Sequence, residues 1–163
     1  MTTQNISLDY VNNLVFELEK AFWDERGKGA RFRVTTVGRQ YFRDRVLPVL
    51  HTGDVDHVVK TVQYALQCDG LLTQIDCVED GRLLRIKVLG CAHRPVEERM
   101  VASGVPPFTC LPANLIALAL EEKLDRPVEL AEIKLEPTDG GETGCGMLLV
   151  RFDKRPELVP TKA

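Results

Sequence analysis

Apolar and polar positions alternate along the chain with two different periods, and the change of period divides it. Leu8, Val11, Leu14, Val15, Leu18 and Phe22 recur at helical spacing and predict an amphipathic helix over 8–26, with Ser7 or Asp9 as N-cap. "GKGARF" interrupts it. Residues 38–51, "GRQYFRDRVLPVLH", read as a second helix that Pro48 ends or kinks. Residues 54–68 read as a third, capped by Asp54, with Val55, Val58, Val59, Val62, Ala65 and Leu66 as its buried stripe.

The period then drops to two. "LLTQIDCVEDGRLLRIKVLGC" alternates around Asp80-Gly81, a hairpin signal, and predicts strands at 71–78 and 83–89. "PVEERMVASG" has room for one or two helical turns. "ANLIALALEEKLD" predicts a helix over 113–125, with Pro112 in its first turn. "PVELAEIKLEP" predicts a third strand, Val128–Leu135, "TDGGETGCG" a glycine-rich turn, and "MLLVRFD" a fourth strand. The order is helices, hairpin, helix, hairpin. It predicts an α+β fold, an antiparallel sheet with helices packed on one face. The expected organisation is one domain over 1–155 and a flexible tail over 156–163.

Composition narrows the class. A chain of 163 residues, 44% hydrophobic and 28% charged, has enough apolar surface for a core. A net charge of -3 and a pI of about 5.7 offer no broad basic face for nucleic acid. Arg39, Arg43 and Arg45 read as a solvated helix face. No apolar segment approaches the roughly 20 residues that span a bilayer. The start, "MTTQNISLDYV", has neither a basic n-region nor an apolar h-region, so the expectation is a cytoplasmic protein. Five cysteines, an odd number, argue against a disulfide framework and leave free thiols or metal ligation open.

The candidate chemistry gathers at cysteine and histidine. Cys91 and His93 lie in "GCAHRP", where the second strand ends. Cys110 precedes the long helix, and Cys145 sits in the glycine-rich segment before the last strand. Cys68 and Cys77 lie within an apolar helix stripe and a strand and read as core fillers. Thiolate and imidazole groups from three loops could hold a soft metal if those loops met at one end of the sheet. The spacing does not demand it: 18 residues separate Cys91 from Cys110 and 34 separate Cys110 from Cys145. Three scattered thiols and a surface histidine fit as well. The adjacent pairs Glu97-Glu98 and Glu121-Glu122 read as solvated faces, because neighbours on a helix point apart. "TDGGETGCG" lacks the Lys-Ser/Thr end of a phosphate-binding loop.

Two segments resemble a known family. "CDGLLTQIDCVEDGRLLRIKVLGC" is similar to the helix–glycine–strand–strand segment, ending in a cysteine loop, of the 4-vinyl-reductase or hydrocarbon-binding domains. "FTCLPANLIALALEEKLDRPVELAEIKLEPTDGGETGCGMLLVRF" resembles their cysteine, long helix, "RPV" step, strand and final cysteine. These domains share a superfamily with TRAPP transport subunits and haem nitric-oxide binding domains. The resemblance implies an α+β fold with a pocket for a small apolar or tetrapyrrole-like molecule. It makes Cys91, Cys110 and Cys145 candidate ligands for zinc or an iron–sulfur cluster, with His93 as fourth ligand or its support. No histidine lies between Cys110 and Cys145, Leu135 stands where many such domains carry a cysteine, and residues 1–60 show no winged-helix half. A DNA-binding regulator is therefore not implied. Phe16, Phe22, Trp23, Tyr41, Phe42 and Tyr64 are the candidate pocket aromatics, with plain core packing as the alternative. The functional expectation is a non-catalytic sensor or carrier domain and a homodimer; pairing through the first helices is expected under the metal-free alternative. The alternatives are a metal-free apolar-pocket protein or assembly factor, and a component of a tetrapyrrole vinyl reductase.

Overall fold

The computed structural model describes residues 5–153; the tail expected over 156–163 lies outside them. The fold is α+β. Helix α1 (Leu8–Arg26) runs into tight turns over Gly27–Phe32. A short helix α2 (Arg39–Tyr41) winds wider through Phe42–Val46 and tightens over Leu47–Val49, where Pro48 ends it. Helix α3 (Val55–Cys68) follows, then strands β1 (Gln74–Asp80) and β2 (Leu83–Leu89). Helices α4 (Arg94–Ala102) and α5 (Leu111–Leu124) precede β3 (Val128–Pro137) and β4 (Thr143–Arg151). No helix among the described residues is long and apolar enough to cross a membrane.

The sheet order is β1-β2-β4-β3, antiparallel throughout. Its inner face comes from strict alternation: Leu84, Ile86 and Val88 of β2 pair with Leu149, Met147 and Cys145 of β4, and all six are buried. Against them lie Val58, Val62 and Leu66 of α3 and Leu115, Ile116, Ala119 and Leu120 of α5. Asp54 caps α3 by accepting from the backbone N–H of His57 at 3.1 Å. Two expectations shift. Leu71 and Leu72 belong to the turn after α3, where the Leu71 N–H donates to the Leu66 carbonyl, so β1 starts at Gln74. The glycine-rich turn is confined to 138–142, closed by Thr138 and Glu142, and Cys145 lies within β4.

A smaller core lies to one side: Ala30, Val96, Met100, Val105 and Phe108, with Val15, Phe16, Phe22 and Trp23 of α1 against it. Helix α1 docks here through these apolar and aromatic side chains and through polar contacts beside them. Asn12 donates to the Ala92 carbonyl at 3.0 Å, and Arg99 donates to Asn13 at 2.6 Å while covering the Phe16 ring at 3.9 Å. Most of the apolar stripe predicted to be buried, Leu8, Val11, Leu14 and Leu18, faces solvent instead.

Candidate functional site

The "GCAHRP" segment is a turn into a helix. Gly90 takes φ +63°, and a Cβ there would meet the Thr73 side chain at 2.5 Å, so the chain can leave β2 this way only with glycine. The Ala92 N–H donates to the Leu71 carbonyl, the His93 carbonyl accepts from the first N–H groups of α4 at Val96 and Glu97, and Pro95 occupies its first turn. His93 and Glu97 are thereby one turn apart on the same helix face, with His93 Nδ1 3.3 Å from Glu97 Oε1. On the other side of the imidazole, Nε2 stands 2.7 Å from Oε1 of Glu19, which α1 brings in. Donor atoms of Glu19, His93 and Glu97 all lie within 4.8 Å of one another.

Glu97 is the unexpected member. It is 3% exposed, and neither of its oxygens receives a hydrogen bond from a described residue; the same holds for Oε2 of Glu19. Its neighbour Glu98 is exposed, so only half of the pair read as a solvated face is one. Burial pushes the Glu97 carboxyl up to about 7; His93 opposes the shift and Glu19 adds to it. His93 is drawn down by burial, but the hydrogen bond and charge of Glu19, together with Glu97, outweigh that and leave it raised.

The three junction cysteines converge on the same region. Cys91, Cys110 and Cys145 are each raised first by burial, Cys145 to about 12 and Cys110 well beyond the ordinary thiol range. Each also feels the charge of Glu97, and Cys110 feels both other thiols. Cys145 reaches this end of the sheet because it pairs with Val88, three residues before Cys91. The thiols lie outside the close group of donors that includes His93. All five cysteines are free; Cys68 is exposed and is not the core filler its stripe suggested, while Cys77 is half-buried and packs against the main core as expected.

A cavity of about 570 Å³ lies beyond the smaller core, between the turns at Gly27–Phe32, the 104–108 loop and β3. Trp23, Phe32, Val34, Pro107, Phe108 and Ile133 supply apolar walls. Buried Asn114 of α5 also lines it and donates to the carbonyls of Val34 and Val37 at 3.0 and 3.1 Å, which holds the loop over the cavity. At the β3 wall a bulge between Leu130 and Glu132 breaks the register, and Arg31 donates to the Leu130 and Ala131 carbonyls at 3.1 Å each.

Of the six candidate pocket aromatics, Trp23 lines this cavity. Phe16 and Phe22 pack on the smaller core, and Phe42 is buried in the main one. Tyr41 donates to Asp69 at 2.7 Å, with the Ala65 carbonyl 3.0 Å from the same hydroxyl, and Tyr64 is 70% exposed. Sequence reasoning did not find Glu19, whose partner is 74 positions away. The His-x-x-x-Glu spacing in "HRPVE" was the available sign of Glu97. No family model, curated protein or solved structure matches the chain.

Proposed function

We propose that this chain is a non-catalytic ligand-binding domain, a sensor or carrier, that takes a small, largely apolar molecule in the cavity beside Trp23. The observation that carries this reading is the cavity itself. Its volume falls in the range of about 300–1,000 Å³ usual for small-molecule sites, and it joins aromatic and aliphatic walls to one buried amide, Asn114, with the charged side chains of Lys28, Arg31, Glu129 and Glu132 also lining it. It is the kind of function that the resemblance to the 4-vinyl-reductase domains implies. Trp23 is the chain's single tryptophan and sits in the cavity wall, so its fluorescence reports occupancy. Titration with a long-chain fatty acid and with a porphyrin is expected to change that emission saturably with at least one of them. No change with either, and no small molecule in a solvent extract of the purified protein, would sink the reading.

A second reading is a zinc or iron–sulfur site built from Cys91, Cys110 and Cys145 with His93. Its support is that the three thiols, from three separate elements, share the field of Glu97. Under it, Cys110→Ser releases the metal from anaerobically purified protein; unchanged zinc and iron content rejects it. Either reading accommodates a homodimer, for which the solvent-facing stripe of α1 is the surface we expect to pair.

A further inference from the structure

Two carboxylates and an imidazole meet where α1 crosses α4, and no lysine or arginine pairs with Glu97 or Glu19 among the described residues. Buried carboxylates are almost always hydrogen-bonded or paired with a cation, because an unpartnered one forfeits its hydration. Neither oxygen of Glu97 receives a hydrogen bond from a described residue, and its one charged neighbour of opposite sign among them is the His93 ring. The contact to His93 does not repair it, since 3.3 Å at poor alignment is not a hydrogen bond. The spacing has another meaning. Two ligands held about 2.1 Å from one ion in tetrahedral geometry stand about 3.4 Å apart.

We propose that Glu97, His93 and Glu19 form a binding site for a divalent transition-metal ion of the zinc class. Mixed nitrogen and oxygen donors suit zinc, iron(II) or manganese and discriminate against magnesium, which keeps an oxygen shell. Glu97 and the imidazole supply ligands from one turn of α4. Glu19 either closes the third position or accepts from the remaining ring N–H and fixes the tautomer, the arrangement that metal-bound histidines commonly show. Glu19 and His93 retain some solvent exposure, so the ion has an entry path and water can complete its sphere. The site does not need the thiols, and it stands independently of the cavity reading. Because Glu19 belongs to α1, the ion would fasten that helix to α4.

The test uses the full chain, stripped with a chelator and titrated with zinc chloride, followed by calorimetry and by thermal melting. Wild type is expected to bind about one zinc and to melt higher with it. Glu97→Gln is expected to weaken zinc binding at least tenfold while melting, without zinc, no lower than wild type, because it removes a buried carboxyl that no hydrogen bond satisfies. A purely structural Glu97 predicts the opposite, a lower metal-free melting temperature. Glu19→Gln is expected to weaken binding about tenfold or more and carries the test if Glu97→Gln does not fold. Cys110→Ser is expected to leave zinc affinity within about threefold. The proposal is overturned if zinc leaves wild type unchanged, if binding survives both glutamine variants, or if Cys110→Ser abolishes it.

Discussion

Trp23 and Phe108 lie with ring centroids 5.5 Å apart and their planes tilted by 38°. One comes from α1, the other from the loop before α5, and together they separate the smaller core from the cavity. Phe108→Ala removes a ring that is nearly fully buried and merges a new void with the cavity. The expected cost is about 3 kcal/mol, at the low end for a buried Phe because one side of the site is already open. Urea unfolding gives the number, and the Trp23 emission of the native state should move to longer wavelength as water reaches the indole.

Gly90 sets the direction in which the chain enters α4. Gly90→Ala combines a left-handed backbone with a collision against Thr73 and is expected to cost about 1–3 kcal/mol. Gly70 has a similar backbone, φ +70°, but a Cβ there would meet no atom within 4 Å, so Gly70→Ala should cost less. Comparing the two melting temperatures separates conformational strain from crowding.

Tyr41 fastens α2 to the end of α3 through Asp69, which Arg45 also holds at 2.7 Å. Burial, then the hydrogen bond and charge of Asp69, push the phenol up to about 12 from 10.0. A raised folded value means the contribution is complete below pH 10 and is lost as pH rises toward 12. Tyr41→Phe should lower stability by about 1 kcal/mol near neutrality and flatten that alkaline slope. Denaturant midpoints measured from pH 8 upward check both.

The two faces of the helical layer predict opposite outcomes for leucine. Leu115 of α5 is fully buried in the main core, and Leu115→Ala should cost about 2–5 kcal/mol. Leu18 is 62% exposed, and Leu18→Ala should change monomer stability by no more than about 0.5 kcal/mol. If α1 pairs two copies, Leu14→Glu together with Leu18→Glu shifts the protein to monomer in sedimentation; unchanged mass excludes α1 as the interface.

Much of this fold was legible in the sequence because single-period segments bury one face. Leu8–Arg26, Val55–Cys68, the Asp80-Gly81 hairpin and the long helix after Cys110 follow from spacing alone. The orientation of α1 did not. Its inward face carries Asn12, Phe16, Glu19 and Trp23, chosen by polar and aromatic partners on α4 and the loop at Phe108, and hydrophobic periodicity cannot see such partners. The same limit hid the site. His93 was visible as a candidate, but Glu97 looked like an exposed acid beside Glu98, and Glu19 becomes relevant only when α1 is laid across α4. The spacing of Cys91, Cys110 and Cys145 left open whether their loops meet, because it carries no information on how the strands pair. Cys145 proved to be a strand residue because β4 begins at Thr143.

The strand order has a consequence for synthesis. β4 is the last strand among the described residues and a central one in the sheet, pairing β2 on one side and β3 on the other. Until Thr143–Arg151 emerges from the ribosome, β2 has an open edge and β3 has no neighbour, while Leu84, Ile86 and Val88 lack the strand that completes their layer. These long-range pairings must form late, so the nascent chain presents an unpaired, apolar β2 edge to chaperones or to other chains. Truncation ahead of Thr143 should therefore yield not a smaller domain but an aggregating fragment.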